Sequence, residues 1–192
     1  MAEVARIGPN AVLQHLPVLD AAIGPRLRAA LLIRAEVAEP PPDAGMLPED
    51  QVARLHQAVR LYLPDRAAII QRVAGQGTGD YILAHRIPGA AQRLIRALPA
   101  PLGARLLSAA IARHAWTFAG SGHFRITSRR PLIFEIAQNP LAAAGRGGPV
   151  CEWHAAVFER LFSALVWPRV RVEETACCAA GAPACRFVLH PR

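Results

Sequence analysis

The sequence predicts an α+β fold: helices packed on an antiparallel sheet, with a C-terminal half ordered strand, strand, helix, strand, strand. Two observations predict it. Apolar residues recur at helical spacing through the first two-thirds of the chain and switch to alternation from His123 onward. The alternating segments form two pairs on either side of one helical stretch, which places the helices against one face of the sheet. At 192 residues, 53% hydrophobic and 19% charged, the chain holds enough apolar material for a sizeable core. We expect a helical segment over residues 1–47 and an α+β domain over residues 48–192.

Residues 10–37 are rich in Ala and Leu, with helix breaks expected at Pro17 and at Gly24-Pro25. Glu39-Pro40-Pro41-Pro42-Asp43-Ala44-Gly45 is a loop, because consecutive prolines cannot extend a helix. Pro48 opens a helix whose first turn holds Glu49 and Asp50, suited to the positive end of its dipole. Val52, Leu55, Val59 and Tyr62 give it one apolar face, and Pro64-Asp65 breaks it. Gly75-Gln76-Gly77-Thr78-Gly79 reads as a turn; no strand leads into it and its spacing fits neither the dinucleotide fingerprint nor the P-loop. Helices follow over residues 80–85, 90–98 and 102–116, the last two separated by Pro99-Ala100-Pro101. Residues 123–127 and 132–136 form a hairpin through Ser128-Arg129-Arg130-Pro131. Asn139-Pro140 and Gly145-Arg146-Gly147-Gly148-Pro149 lead into a helix over residues 151–166, and strands over residues 169–174 and 185–189 close the chain.

The tail carries the chemistry. Alternation in the first of these strands turns Val170, Val172 and Glu174 inward and Arg169, Arg171 and Glu173 outward; in the second, Cys185 joins Phe187 and Leu189 on the apolar side. Cys151 shares a helical stripe with His154, Phe158, Leu161 and Leu165. A carboxylate on a buried face is costly unless paired or metal-bound, so Cys151, Glu174, Cys177 and Cys185 are the expected ligands of one structural zinc ion. Arg171 or Arg186 would offset the negative charge of that set. The alternative is a disulfide between Cys177 and Cys185. Residues 1–6 hold no long apolar run, so a reducing cytosol is expected and a stable disulfide is not.

The formal charge is +8, and all 22 basic residues are arginines. They form no stripe with interleaved aromatics, which argues against nucleic acid and for an anionic ligand or acidic partner. No stretch reaches the roughly 20 apolar residues of a membrane span.

The stretch Asp80-Tyr81-Ile82-Leu83-Ala84-His85-Arg86-Ile87-Pro88, the segment from His114 to Phe124 and the Cys/Glu/Cys/Cys tail resemble the 4-vinyl reductase domain family, and within it the branch that serves bacteriochlorophyll biosynthesis. The likeness runs from about residue 50 to the end. The same domain is similar to the sensing part of phenol-responsive activators, where this pattern holds zinc; the resemblance lands on Cys151, Glu174, Cys177 and Cys185. It implies a fold shared with haem-based nitric-oxide sensors, with an apolar ligand between helices and sheet.

The family name implies reduction of a ring B vinyl group on a magnesium tetrapyrrole such as divinyl protochlorophyllide or chlorophyllide. Zinc is redox-inert, one remaining cysteine cannot hold an iron–sulfur cluster and no dinucleotide fingerprint is present. The expectation is therefore a carrier or accessory factor that binds the magnesium tetrapyrrole in an apolar pocket; a true 4-vinyl reductase, and a regulator or scaffold of another pathway enzyme, stay open beside it. His114, Trp116, His85, Tyr81 and Phe118 are the candidate pigment contacts, although a backbone-bonded His114 is the plainer reading. Trp153 and Trp167 read as packing residues. A cytoplasmic protein at the edge of the photosynthetic membrane, and a homodimer through the N-terminal helices, complete the expectation.

Overall fold

The structure, a computed structural model, describes residues 4–142 and 150–192. Strand β1 (Arg6–Ile7) pairs antiparallel with β2 (Leu47–Pro48), and helices α1 (Asn10–Leu13), α2 (His15–Ile23) and α3 (Pro25–Arg34) lie between them. Gly24, at φ +82°, separates α2 from α3, and Pro25 opens α3 where a missing N–H costs nothing. Pro17 breaks nothing for the same reason: it sits in the first turn of α2. The boundary expected at residues 47 and 48 runs through β2. Ile7, Val12, Leu19 and Leu31 share one buried core with Phe134 and Leu189 of the sheet.

Helix α4 (Glu49–Tyr62) begins after Pro48 and ends before Pro64. It buries Val52, Leu55, His56, Ala58 and Val59, whereas Tyr62, expected on that face, is exposed and stacks with Arg34. Helix α5 (Pro64–His85) then runs unbroken for 22 residues through the glycine run read as a turn. The glycines serve packing. A Cβ on Gly75 would stand 2.5 Å from the Trp153 carbonyl oxygen and 2.8 Å from Ala156 Cβ, and one on Gly79 would stand 2.7 Å from Arg160 Cβ. Gly75 and Gly79 lie one turn apart on one face, so α5 can seat directly on a partner helix. The tertiary contact overrides the weak helix propensity of glycine.

That partner is α9 (Glu152–Leu165). Before it come α6 (Gly89–Ala97), α7 (Ala100–Arg113), the short α8 (Trp116–Ala119) and a four-stranded antiparallel sheet's first pair, β3 (His123–Arg129) and β4 (Leu132–Ala137). The helix expected over residues 102–116 thus ends at Arg113, and α8 is separate. β5 (Arg171–Ala176) and β6 (Ala184–His190) complete the sheet in the order β3-β4-β6-β5. The connection expected through residues 145–149 lies outside the described residues.

One face of the sheet is covered by helices. Phe134 and Ile136 of β4 and Cys185, Phe187 and Leu189 of β6 are fully buried there. All six phenylalanines meet in this layer: Phe134 and Phe158 at 5.1 Å between centroids, Phe158 and Phe187 at 5.5 Å, Phe124 and Phe134 at 5.2 Å, with Phe118 and Phe162 at the edges. Between helices and sheet, where an apolar cavity was expected, these rings pack against one another edge to face or tilted. On the outer face Glu135 accepts from Arg186 Nε at 2.9 Å and from Arg125 at 3.5 Å, tying three strands together.

Candidate metal centre

Three segments deliver the four donors. Cys151 caps the start of α9, Glu174 ends the regular part of β5 just before its register shift, and Cys177 follows two residues after that shift. Cys185 stands on the inner face of β6. The turn between Cys177 and Cys185 is a short 3-10 helix, Cys178–Ala180, closed by Gly181 at φ +85°, a conformation that favours glycine. This turn aims the Cys178 N–H at Cys185 Sγ, 3.4 Å away.

The four ligand atoms lie within 4.8 Å of one another. The sulfurs are 3.5 Å (Cys151 to Cys185), 3.8 Å (Cys177 to Cys185) and 4.0 Å (Cys151 to Cys177) apart. A tetrahedral ion with Zn–S bonds of about 2.3 Å needs its sulfurs about 3.8 Å apart. No disulfide links them; all four cysteines are free. Cys151 N–H donates to Glu174 Oε2 at 2.9 Å, while Glu174 Oε1 is buried with no partner. An unpartnered carboxylate oxygen beside three sulfurs fits a cation site.

Electrostatics support the same fit. Burial pushes Glu174 up to about 8, and the adjacent Cys177 sulfur adds to the rise. Cys177 is held below the usual thiol range because Cys151 and Cys185 donate to it, and Cys151 is held above that range by the same contact. A divalent ion would let all four donors ionise together.

Two supports escaped sequence reasoning. Asn139 Nδ2 donates to Cys151 Sγ at 3.4 Å and Cys185 Sγ at 3.5 Å. Arg60, on α4, supplies the positive charge; it donates to the carbonyls of Val150 at 3.1 Å and Leu141 at 2.8 Å, and although burial disfavours its charge, Cys151 and the neighbouring acidic groups sustain it. Neither Arg171 nor Arg186 plays that part: Arg171 is exposed, and Arg186 is paired with Glu135 on the outer face. Nothing in the sequence singles out Arg60 among 22 arginines. Asn139 carries the weak signal of an Asn-Pro turn.

The candidate pigment contacts fall in three places. Tyr81 and His85 lie with tilted rings 4.6 Å apart on the last turns of α5. His114 and Trp116 lie beyond α7, where His114 is exposed with Nδ1 on the Ala110 carbonyl at 2.9 Å and Trp116 is 59% exposed. Phe118 belongs to the interior aromatic layer. His154 is buried against Phe187, Trp153 donates to Thr78 Oγ1 at 3.2 Å, and both are packing residues. A separate apolar groove of about 480 Å³ opens between α2 and α5, lined by Pro17, Val18, Ala21, Ala22, Ile69, Ile70 and Val73.

Comparison with known proteins places these features. A family model described as the V4R domain matches residues 132–191, from β4 through α9 to β5 and β6. Over 188 residues, 97% of this chain and 91% of the other, the sequence is 63% identical to the bacteriochlorophyll synthase 23 kDa chain of Cereibacter sphaeroides. It is 55% identical over 187 residues, 97% and 88%, to the protein of the same name from Rhodobacter capsulatus. Among solved structures, an H-NOX protein from S. oneidensis in the Fe(II)NO ligation state matches with TM-score 0.57 at 9% identity, covering 97% of this chain and 99% of that one. An unliganded Fe(II) H-NOX mutant from K. algicida matches with TM-score 0.58 at 9% identity, covering 97% of each. At that identity the likeness is one of fold.

Proposed function

This chain belongs to the family of the bacteriochlorophyll synthase 23 kDa chains, and from that premise we propose that it is an accessory chain that binds a magnesium tetrapyrrole intermediate and presents it to a pathway enzyme. A role in bacteriochlorophyll biosynthesis follows from the family itself. The observation that carries the accessory reading is near full-length identity to proteins named as one chain of a synthase.

The metal centre has a structural part in this reading. Cys151, Glu174, Cys177 and Cys185 would hold zinc with four protein donors, which leaves no open position for a substrate. The ion would fasten the start of α9 to β5 and β6. We infer a surface site for the pigment, because the interior layer is packed with aromatic rings and the α2–α5 groove has an apolar lining and a volume of about 480 Å³, within the roughly 300–1,000 Å³ of small-molecule sites. Arg66, bonded to the carbonyl of the groove residue Ala22 at 2.8 Å, would be the partner of a ligand carboxylate.

Titration of the purified chain with magnesium and metal-free porphyrins, followed by absorption and fluorescence, tests the proposal. Expected is saturable binding at one site, weakened at least tenfold by Val73→Glu, which puts a charge on the groove wall. Absence of binding by any tetrapyrrole overturns it. Conversion of a divinyl substrate to its ethyl product in the presence of an electron donor would instead make the chain a reductase.

A further inference from the structure

The positive charge of this protein is concentrated. Residues 81–134 hold eight of the 22 arginines, from Arg86 to Arg130, and no Asp or Glu; the other 14 arginines are matched in number by all 14 carboxylates. The whole net charge of +8 therefore lies on the stretch that forms α6, α7, α8 and β3. Scanning the arginines alone misses this, because what distinguishes the stretch is the missing carboxylates.

Apolar side chains stand in water on the same elements. Helix α7 buries Gly103, Ala104, Leu107, Ser108 and Ile111. Its opposite face carries Leu102, Arg105, Leu106, Ala109 and Arg113 at three- and four-residue spacing, so they form one exposed stripe. Leu102 is 52% and Leu106 41% exposed, and Trp116, at the start of α8, is 59% exposed. On α6, Leu94 is 55% exposed between Arg93 and Arg96. Among the described residues, Arg93, Arg105 and Arg113 make no ion pair.

We propose that the outer face of α6 and α7, with Trp116, docks the protein on an anionic lipid bilayer. The charge selects the partner: guanidiniums without carboxylates complement a layer of phosphate headgroups. The shape agrees. The apolar side chains protrude from the outer side of helices, and a fluid interface closes around Leu and Trp side chains without a matching groove while the arginines keep their heads among the phosphates. The proposal stands apart from the pigment reading, since a chain that docks without binding any porphyrin would satisfy it.

Sedimentation of the full-length chain with vesicles of phosphatidylcholine alone, or mixed with phosphatidylglycerol, provides the test. The chain should pellet with the anionic vesicles at low salt, stay in solution with the neutral ones, and be released at about 1 M salt, where the screening length is about 3 Å. Arg105→Gln and Arg113→Gln should each lower the partition coefficient about fivefold. Leu102→Ser with Leu106→Ser should weaken binding while circular dichroism stays unchanged, and Trp emission should shift to the blue on binding in the wild type and less in Trp116→Ser. No pelleting with anionic vesicles, equal pelleting with neutral ones, or full binding by the arginine and leucine variants would overturn the proposal; an acidic protein or nucleic acid as the true occupant would show as the first of these.

Discussion

Cys151 does two jobs at the candidate metal centre: its sulfur faces Cys177 and Cys185 while its backbone N–H holds Glu174 in place. Replacing Cys151, Cys177 or Cys185 by Ser should therefore abolish stoichiometric zinc, measured by elemental analysis of purified protein, and lower the melting temperature. Cys178→Ser should keep both, since its sulfur faces the Ile136 carbonyl at 3.9 Å instead. The convergence of the four side chains was legible because strand alternation and helix periodicity each fix a direction for a side chain from its position alone. Arg60 and Asn139 were not, since what places them is the packing of a distant helix and a turn, and neither leaves a period in the sequence. A second residue-scale expectation concerns His15. It is fully buried, bonded to Gln71 at 3.0 Å, edge-on to the His56 ring at 4.6 Å between centroids, and held down to about 4 by burial. The unfolded chain takes up this proton near the ordinary value of about 6.5. The His15 contribution to stability should therefore fall as the pH drops from about 6.5 towards 4, by a few kcal/mol, and buried His56 and His154, also held down by burial, act in the same direction. Melting curves across that window should show a shallower slope in His15→Met, whatever that variant loses at neutral pH.

At the scale of elements, the crossing of α5 and α9 is the tightest junction between helices. Gly75→Ala should destabilise by about 2 kcal/mol, because its Cβ would press on the Trp153 carbonyl, which cannot move aside. Gly77→Ala should be near neutral: its Cβ meets only the Gln14 side-chain oxygen at 2.9 Å, and alanine gains about 1 kcal/mol of helix propensity over glycine. Denaturant midpoints of the two variants, compared with the parent, check the contrast. The same glycines explain why the sequence places a turn at residues 75–79 and starts a helix only at residue 80. Three glycines in five residues look like a break to any propensity argument, and only the presence of α9 against them shows that the missing side chains make room. The hairpin, the last two strands and α9 were read correctly, because alternation and a single apolar stripe are written into consecutive residues.

For the molecule as a whole, the N-terminal helices and the C-terminal sheet share a core, with Ile7, Val12, Leu19 and Leu31 all buried beside residues of the opposite half. A chain beginning at residue 48 would lose these side chains, each worth about 1.5–3 kcal/mol, and should fail to unfold cooperatively by circular dichroism. The interior was the least legible part: apolar composition is the same whether rings fill a space or line an empty one, and the six phenylalanines pack against one another there. The backbone-on-backbone seat of α5 on α9 then links the two ends of this arrangement. The outer side of α5 walls the apolar groove, its inner side rests on the helix that starts at Cys151, and no side-chain cushion lies between Gly75 and Trp153. A push on Ile69 or Val73 has no slack to take up before it reaches the cysteine cluster, so the two helices should open as one unit, with amide hydrogens exchanging in step along both.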